Sequence, residues 1–225
     1  PSLVTFLWAL VIADGVLDGT PVTQSIDWVA GLDLSIDVRV DAFSLVMIAL
    51  VAGIGVLIHA YAARYFNPDT PHLGRLAGLL TLFAGAMLGL VTADHLLWLY
   101  ACWELTSITS YLLIGWDDRD PNARSSALQA LLTTGAGGLV MLVGFVLLGQ
   151  AAGTYELSAI VVDPPGGTTV SVALVCILVG AFTKSAQWPF SSWLPGAMVA
   201  PTPISAYLHS ATMVKAGIIV LARFA

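Results

Sequence analysis

Successive apolar runs, each close to the thickness of a lipid bilayer and parted by short polar turns, dominate this chain. That pattern restricts it to a bundle of membrane-crossing helices, because backbone in lipid must satisfy its own hydrogen bonds. At about 20 residues per crossing, whole spans are expected near 42–62, 76–93, 95–116, 126–149, 171–189 and 204–224, with a truncated one at 1–13. The stretch from Leu76 to Trp116 is twice the usual length, and Thr92-Ala93-Asp94-His95 at its midpoint predicts a tight helical hairpin. Only 10% of the residues are charged and the mean hydropathy is +0.89. A water-facing globule carries about a quarter charged residues, so a soluble fold is excluded. The expected fold is an all-α polytopic membrane protein with about six complete transmembrane helices plus one truncated.

The polar segments have their own grammar. Between Val22 and Asp41, acidic residues punctuate short alternating runs such as Leu32-Asp33-Leu34-Ser35-Ile36-Asp37-Val38, which predicts a short surface β-hairpin over 22–41. Pro164-Pro165-Gly166-Gly167 makes the 150–170 loop a plain breaker. Pro189, Pro195 and Pro201-Thr202-Pro203 forbid one continuous helix and predict a broken helix around 184–203. Pro1 is no initiator and the run Leu3 to Ala13 lacks a basic flank, so it is not a signal peptide; the chain reads as a piece of a longer polypeptide.

Threading the spans puts Arg64, Arg75, Arg119 and Arg124 in loops on one side. The segments opposite hold Arg39 against Asp14, Asp18, Asp27, Asp33, Asp37, Asp41, Asp94, Glu156 and Asp163. The positive-inside rule makes loops 63–75 and 117–125 cytoplasmic. A net charge of −6 argues against nucleic acid as a partner. Cys102 and Cys176 lie far apart in apolar runs with no CxxC pair, so neither a zinc or iron–sulfur site nor a disulfide framework is indicated. No cofactor is expected, and the sequence assigns no metal site.

Three charges remain inside spans, Glu104, Lys184 and Lys215, joined by the titratable His209. A lysine at mid-membrane costs roughly 2.5–3.5 kcal/mol on insertion scales, and such residues face a polar interior and mark ion or proton pathways. The alternative is that each is a polar anchor between helices, with Lys184 snorkelling to water from its span end. Glu104 opens a polar stripe of Thr106, Ser107, Ser110 and Tyr111. His209 and Lys215 stand about 120° apart on a uniform α-helix, with Thr212, Ser205 and Ser210 as hydroxyls able to bridge. A chain of Glu, Lys, His and Lys supplies groups that hold and release a proton. Gly135, Gly137, Gly138 and Gly144 read as close-packing positions. His59, His72 and His95 read as solvated, and Trp8, Trp98, Trp103 and Trp116 as scattered, partly interfacial anchors.

The segments Ala181-Phe182-Thr183-Lys184-Ser185-Ala186-Gln187-Trp188-Pro189-Phe190, Trp193-Leu194-Pro195-Gly196-Ala197-Met198 and His209-Ser210-Ala211-Thr212-Met213-Val214 resemble antiporter-like subunits shared by respiratory complex I and Mrp-type cation/proton antiporters. Trp103-Glu104-Leu105-Thr106-Ser107 is similar to that family's glutamate helix. The Gly135-Ala136-Gly137-Gly138 run and Lys215 after Met213-Val214 look like the large subunit of the Mrp antiporter. The resemblance implies that 76–225 is a five-helix transport unit, the first of two inverted repeats, and that 1–75 holds peripheral helices and the hairpin. It implies a proton-handling pair, Glu104 and Lys184, with His209 relaying onward. It further implies a bacterial inner-membrane location, partner subunits, and protons and sodium ions as the transported species. A proton-pumping arm of NADH:quinone oxidoreductase and a structural membrane scaffold are the competing readings.

Overall fold

Residues 1–29 and 34–224 are described in a computed structural model of the chain. Leu32 and Asp33 of the alternating run lie outside the described residues, as does Ala225. Helix α1 (Ser2–Leu17) leads into an antiparallel hairpin of β1 (Val22–Val29) and β2 (Leu34–Val40), paired from Val22 opposite Val40 to Val29 opposite Leu34. The bundle follows: α2 (Ala42–Tyr65), α3 (Leu73–Thr92), α4 (Leu96–Ile114), α5 (Pro121–Ala152), α6 (Leu157–Val162), α7 (Thr168–Lys184), α8 (Trp193–Ala197), α9 (Thr202–Tyr207) and α10 (Met213–Arg223). A π-helical turn, Leu208–Thr212, joins α9 to α10.

The all-α polytopic fold and the hairpin at 22–41 are as the sequence predicts. Among the described residues, four helical stretches are long and apolar enough to cross a membrane: Ala42–Tyr65, Leu73–Thr92, Pro121–Ala152 and Thr202–Arg223. Helices α1 and α7 are shorter apolar helices of 16 and 17 residues. Helix α7 stops at Lys184 rather than at 189, because the chain must leave helical geometry ahead of Pro189. At the other extreme α5 has 32 residues, about 48 Å of helix at 1.5 Å per residue. Its start is fixed by Asp120, whose carboxylate accepts from the Asn122 N–H at 2.8 Å, with Pro121 at the first helical position. The 150–170 loop is more than a breaker, since it contains α6.

One end of the bundle is stitched together by backbone. Residue Ala93 bridges to Val38 of the hairpin, His95 bridges to Glu156, and the Asp94 N–H donates to the Asp37 carbonyl at 2.8 Å. The Asp94 carboxylate accepts from the Ser158 N–H at 2.9 Å and its hydroxyl at 2.8 Å. His95 is therefore buried, not solvated, with Nδ1 accepting from the Leu97 N–H. Arg223 ties the end of α10 into the same cap: it donates to Asp41 and to the Val91 carbonyl at 2.6 Å each, and to the Ser44 hydroxyl. At the opposite end, the 70–72 and 116–119 segments and Pro201 border one cavity, and the Arg75 guanidinium sits 5.3 Å from the Trp116 ring centre. His72 there is exposed, whereas His59 lies within α2 with Nδ1 2.7 Å from the Gly55 carbonyl.

The core runs through α3, α4, α5, α7 and α10. Helix α10 crosses α7 so closely at Gly217 that a methyl there would run into the Ala181 carbonyl, with the carbonyl carbon at 2.9 Å. A backbone-to-backbone approach of this kind is how helices associate without a hydrophobic drive between them.

Candidate functional site

The break in the chain after Lys184 is the organising feature. A helix end leaves four carbonyls without intrahelical partners, and in lipid each must be satisfied. The Ala181 carbonyl accepts from the Ser185 N–H, Phe182 from the Gln187 N–H, and Thr183 from the Ala186 N–H. The Thr183 carbonyl also takes the indole N–H of Trp193 at 2.9 Å. Trp193 is fully buried on α8, and that bond anchors the short helix after the break to the end of α7. The predicted break around 184–203 thus takes the form of a loop, the five-residue α8, and a second loop before Thr202.

Lys184 is the last residue of α7 and is 0% exposed. It does not snorkel to water. Its Nζ donates to the Trp103 carbonyl at 2.6 Å and to the Thr106 hydroxyl at 2.5 Å, and sits 4.2 Å from the Trp103 ring centre. The ammonium has three N–H bonds, and it meets a carbonyl, a hydroxyl and an aromatic face. Thr106 is the pivot: its hydroxyl donates to the Trp103 carbonyl at 2.7 Å while accepting from the lysine. The rest of the α4 stripe turns back on its own helix, with Thr109 donating to Leu105 at 2.7 Å and Ser110 to Ser107 at 2.8 Å.

Glu104 is adjacent in sequence to this seat and half-buried, and its Oε1 is buried without a hydrogen-bond partner. Glu104 and Lys184 make no direct ion pair; among the described residues the ion pair is Arg223–Asp41, at 2.6 Å. The carboxylate and the ammonium share the α4–α7 region, but the ammonium is hydrogen-bonded there while the Glu104 Oε1 is not.

His209 lies in the π-turn, its ring centre 6.3 Å from that of Trp193, and both ring nitrogens are buried without a protein partner. It borders an open groove of about 480 Å³ with Thr202, Ser205 and Ser210. The bridging role expected of Thr212 and Ser205 is not what the structure has. Thr212 is buried and donates to the Tyr207 carbonyl at 2.6 Å, and Ser205 donates to the Ala200 carbonyl at 2.9 Å. A π-turn widens the helix by one residue and frees carbonyls, and the Thr212 hydroxyl satisfies one. The wider turn also removes the basis for the uniform 120° offset between His209 and Lys215. Lys215 is exposed on α10 and is not brought to the buried Lys184 seat.

Sequence reasoning missed Trp103 as a site residue, treating it as one of several anchors. It is fully buried and supplies both carbonyl and ring to Lys184. The signal was available, since Trp103 and Thr106 stand three apart on one helix face.

Fold and site together define a polytopic membrane protein with a lysine seated at mid-bundle on a helix break, beside an unpaired carboxylate. Residues 93–225 match the family described as NADH:quinone oxidoreductase/Mrp antiporter, TM, and residues 26–75 match that described as NADH-ubiquinone oxidoreductase (complex I), chain 5 N-terminus. The chain belongs to the NADH:quinone oxidoreductase/Mrp antiporter transmembrane family. It is 46% identical over 230 residues to a probable K(+)/H(+) antiporter A/B subunit of Rhizobium meliloti (strain 1021), covering 99% of this chain and 22% of the relative. It is 40% identical over 225 residues to the putative antiporter subunit mnhA2 of Staphylococcus aureus (strain MRSA252), covering 99% and 28%. In a solved Mrp complex from Dietzia sp. DQ12-45-1b, one chain superposes with a TM-score of 0.91 at 41% identity, over 99% of this chain and 24% of that one. A membrane-bound sulfane sulfur reductase, an archaeal respiratory complex, shares the fold with a TM-score of 0.85 at 23% identity, over 98% and 45%. The chain spans about a quarter of the length of the curated relatives it matches.

Proposed function

We propose that this chain is the proton-conducting part of a membrane subunit in a multisubunit cation/proton antiporter, with Glu104, Lys184 and His209 relaying protons. The observation that carries the reading is the fully buried Lys184 ammonium, held on α4 one residue from the unpaired Glu104 carboxylate. A cation kept at mid-membrane beside a carboxylate is the default signature of an ion or proton path. The relatives, themselves described as antiporter subunits or part of an Mrp complex, support the same class. Inward proton flow would be coupled to outward cation movement. Residues 76–225 form the transport unit on this reading, and 1–75 its peripheral part. Loops 63–75 and 117–125 face the cytoplasm of a bacterial cell. Lys215, exposed on α10, extends the path.

The test uses the full-length subunit carrying this chain, assembled with its partner subunits in everted membrane vesicles. Dissipation of a pH gradient is followed on adding sodium or potassium. Glu104→Ala and Lys184→Ala abolish exchange while leaving assembly intact; the cation giving the larger response identifies the exported ion. A second reading, a proton-pumping arm driven by a redox partner, draws on the complex I description matched at 26–75. It is selected if proton movement requires NADH oxidation and ignores both cations. Undiminished exchange in both variants would leave only a scaffold role.

A further inference from the structure

The glycine run on α5 read from sequence as packing positions divides sharply by what each glycine faces. Gly135 opens onto empty space. Three residues on, Gly138 faces α4, and a methyl built on it would land on the Oε1 oxygen of Glu104, with the Glu104 carboxyl carbon and the Trp103 indole nitrogen each 3.2 Å away. The missing side chain at 138 is therefore the space that the glutamate carboxylate fills. Both polar atoms at the edge of this notch, Glu104 Oε1 and Trp103 Nε1, are buried without hydrogen-bond partners.

We propose that Gly138 is a positioning residue, whose absent side chain fixes where the Glu104 carboxylate sits relative to the Lys184 seat. This rests on the relay reading above. Physically, the atom that a methyl at 138 would overlap is the far end of a flexible side chain, so the glutamate swings away, and the buried Trp103 indole at 3.2 Å has only a few tenths of an ångström to give. Gly217 is the opposite case, because there the obstacle is the backbone of α7. Gly138→Ala thus separates function from stability: the bundle closes normally with its carboxylate displaced. A glutamate pushed from the notch leaves Trp103 Nε1 and alters the distance a proton must travel to Lys184.

The experiment measures cation-driven proton exchange in everted vesicles for the assembled complex carrying Gly138→Ala, Gly135→Ala, Glu104→Asp, Glu104→Ala and the double variant Gly138→Ala/Glu104→Asp, with thermal melting alongside. Gly135→Ala exchanges as the parent. Gly138→Ala melts with the parent but exchanges about tenfold more slowly, within the roughly hundredfold that a 1 Å misplacement of a reacting group can cost. Aspartate is one methylene shorter and clears the methyl, so the double variant exchanges no more slowly than Glu104→Asp alone, a non-additive result expected of residues in contact. Should Gly138→Ala fail to assemble, Glu104→Asp in the same chain must restore assembly. Parent-like exchange in Gly138→Ala, multiplying effects in the double variant, or no restoration of assembly would overturn the positioning role. Parent-like exchange in Glu104→Ala would instead overturn the relay reading itself.

Discussion

The tie between Asp41 and Arg223 should be strongly asymmetric to mutation. Asp41 does two things: Oδ1 accepts from the Ser44 N–H at 2.8 Å as the N-cap of α2, and Oδ2 accepts from Arg223 at 2.6 Å. Arg223 is 10% exposed and Asp41 33%. Asp41→Ala loses the cap, about 1 kcal/mol, and strands a guanidinium that is nine-tenths buried. Breaking a fully buried pair costs about 3–5 kcal/mol; the part-exposed aspartate and the remaining Val91 carbonyl reduce this to about 2 kcal/mol, for about 3 kcal/mol in all. Arg223→Met leaves a third-exposed carboxylate that water can reach and that still caps α2, so it should cost only about 1 kcal/mol. The double variant should be more stable than Asp41→Ala alone, because the stranded charge is gone. Equilibrium SDS denaturation of the full-length subunit in bicelles measures all three. The pH dependence follows from the same contacts. Burial pushes the Asp41 carboxyl up, but the Ser44 N–H, the Arg223 charge and the Ser44 hydroxyl together outweigh it and hold the group below its ordinary 3.8. A lowered folded-state value means the contribution is complete above the unfolded value and lost as pH falls through the folded one. The gap between parent and Asp41→Asn should be flat at neutral pH and close only in acid below 3.8. If Arg223→Met proves as costly as Asp41→Ala, or the double variant is the least stable, the stranded-charge account is wrong.

Thr106→Val removes the hydroxyl that accepts from Lys184; at about 1.5–3 kcal/mol for a hydrogen bond to a charged group, vesicle exchange should fall about tenfold or more, and Thr106→Ser should restore it. Trp193→Phe keeps the ring in its pocket but orphans one contact on the Thr183 carbonyl, lowering stability by about 1–3 kcal/mol in the same SDS titration while the complex still assembles. Gly217→Ala drives a methyl into the Ala181 carbonyl, and since backbone cannot step aside, the yield of assembled complex should fall steeply.

The spans, the hairpin and the helix break were legible because hydropathy, period-2 alternation and proline each have a direct steric or solvation meaning. The residues Glu104, Lys184 and His209 were legible as charges out of place. What could not be read was direction. Lys184 looked able to reach water from a span end, yet α7 stops at that residue and its side chain turns inward to α4. Thr212 looked like a bridge between His209 and Lys215, but a π-turn has no one-dimensional signature, and the hydroxyl answers the carbonyl that the turn frees. Gly138 and Gly135 are indistinguishable in sequence; only the neighbouring helix decides that one faces a carboxylate and the other nothing. Arg223, at a span end, gave no hint that it would find Asp41 across the fold.

On the proposed reading, the lack of direct contact between Glu104 and Lys184 matters more than their proximity. Two unit charges 4 Å apart attract by about 4 kcal/mol at an effective dielectric of 20. A lysine held only by that attraction would have to climb out of it at every cycle. The neutral seat on α4 offers two hydrogen bonds to a charged donor, each about 1.5–3 kcal/mol, and an aromatic face that adds about 2 kcal/mol when desolvated. The seat therefore outweighs the carboxylate, at about 5–8 kcal/mol against about 4 kcal/mol, and the lysine rests on α4. A proton arriving on Glu104 removes only the weaker pull. On this reading Trp103 and Thr106 do more than line the path: by outweighing the carboxylate with uncharged groups, they keep the lysine in place whichever protonation state Glu104 holds.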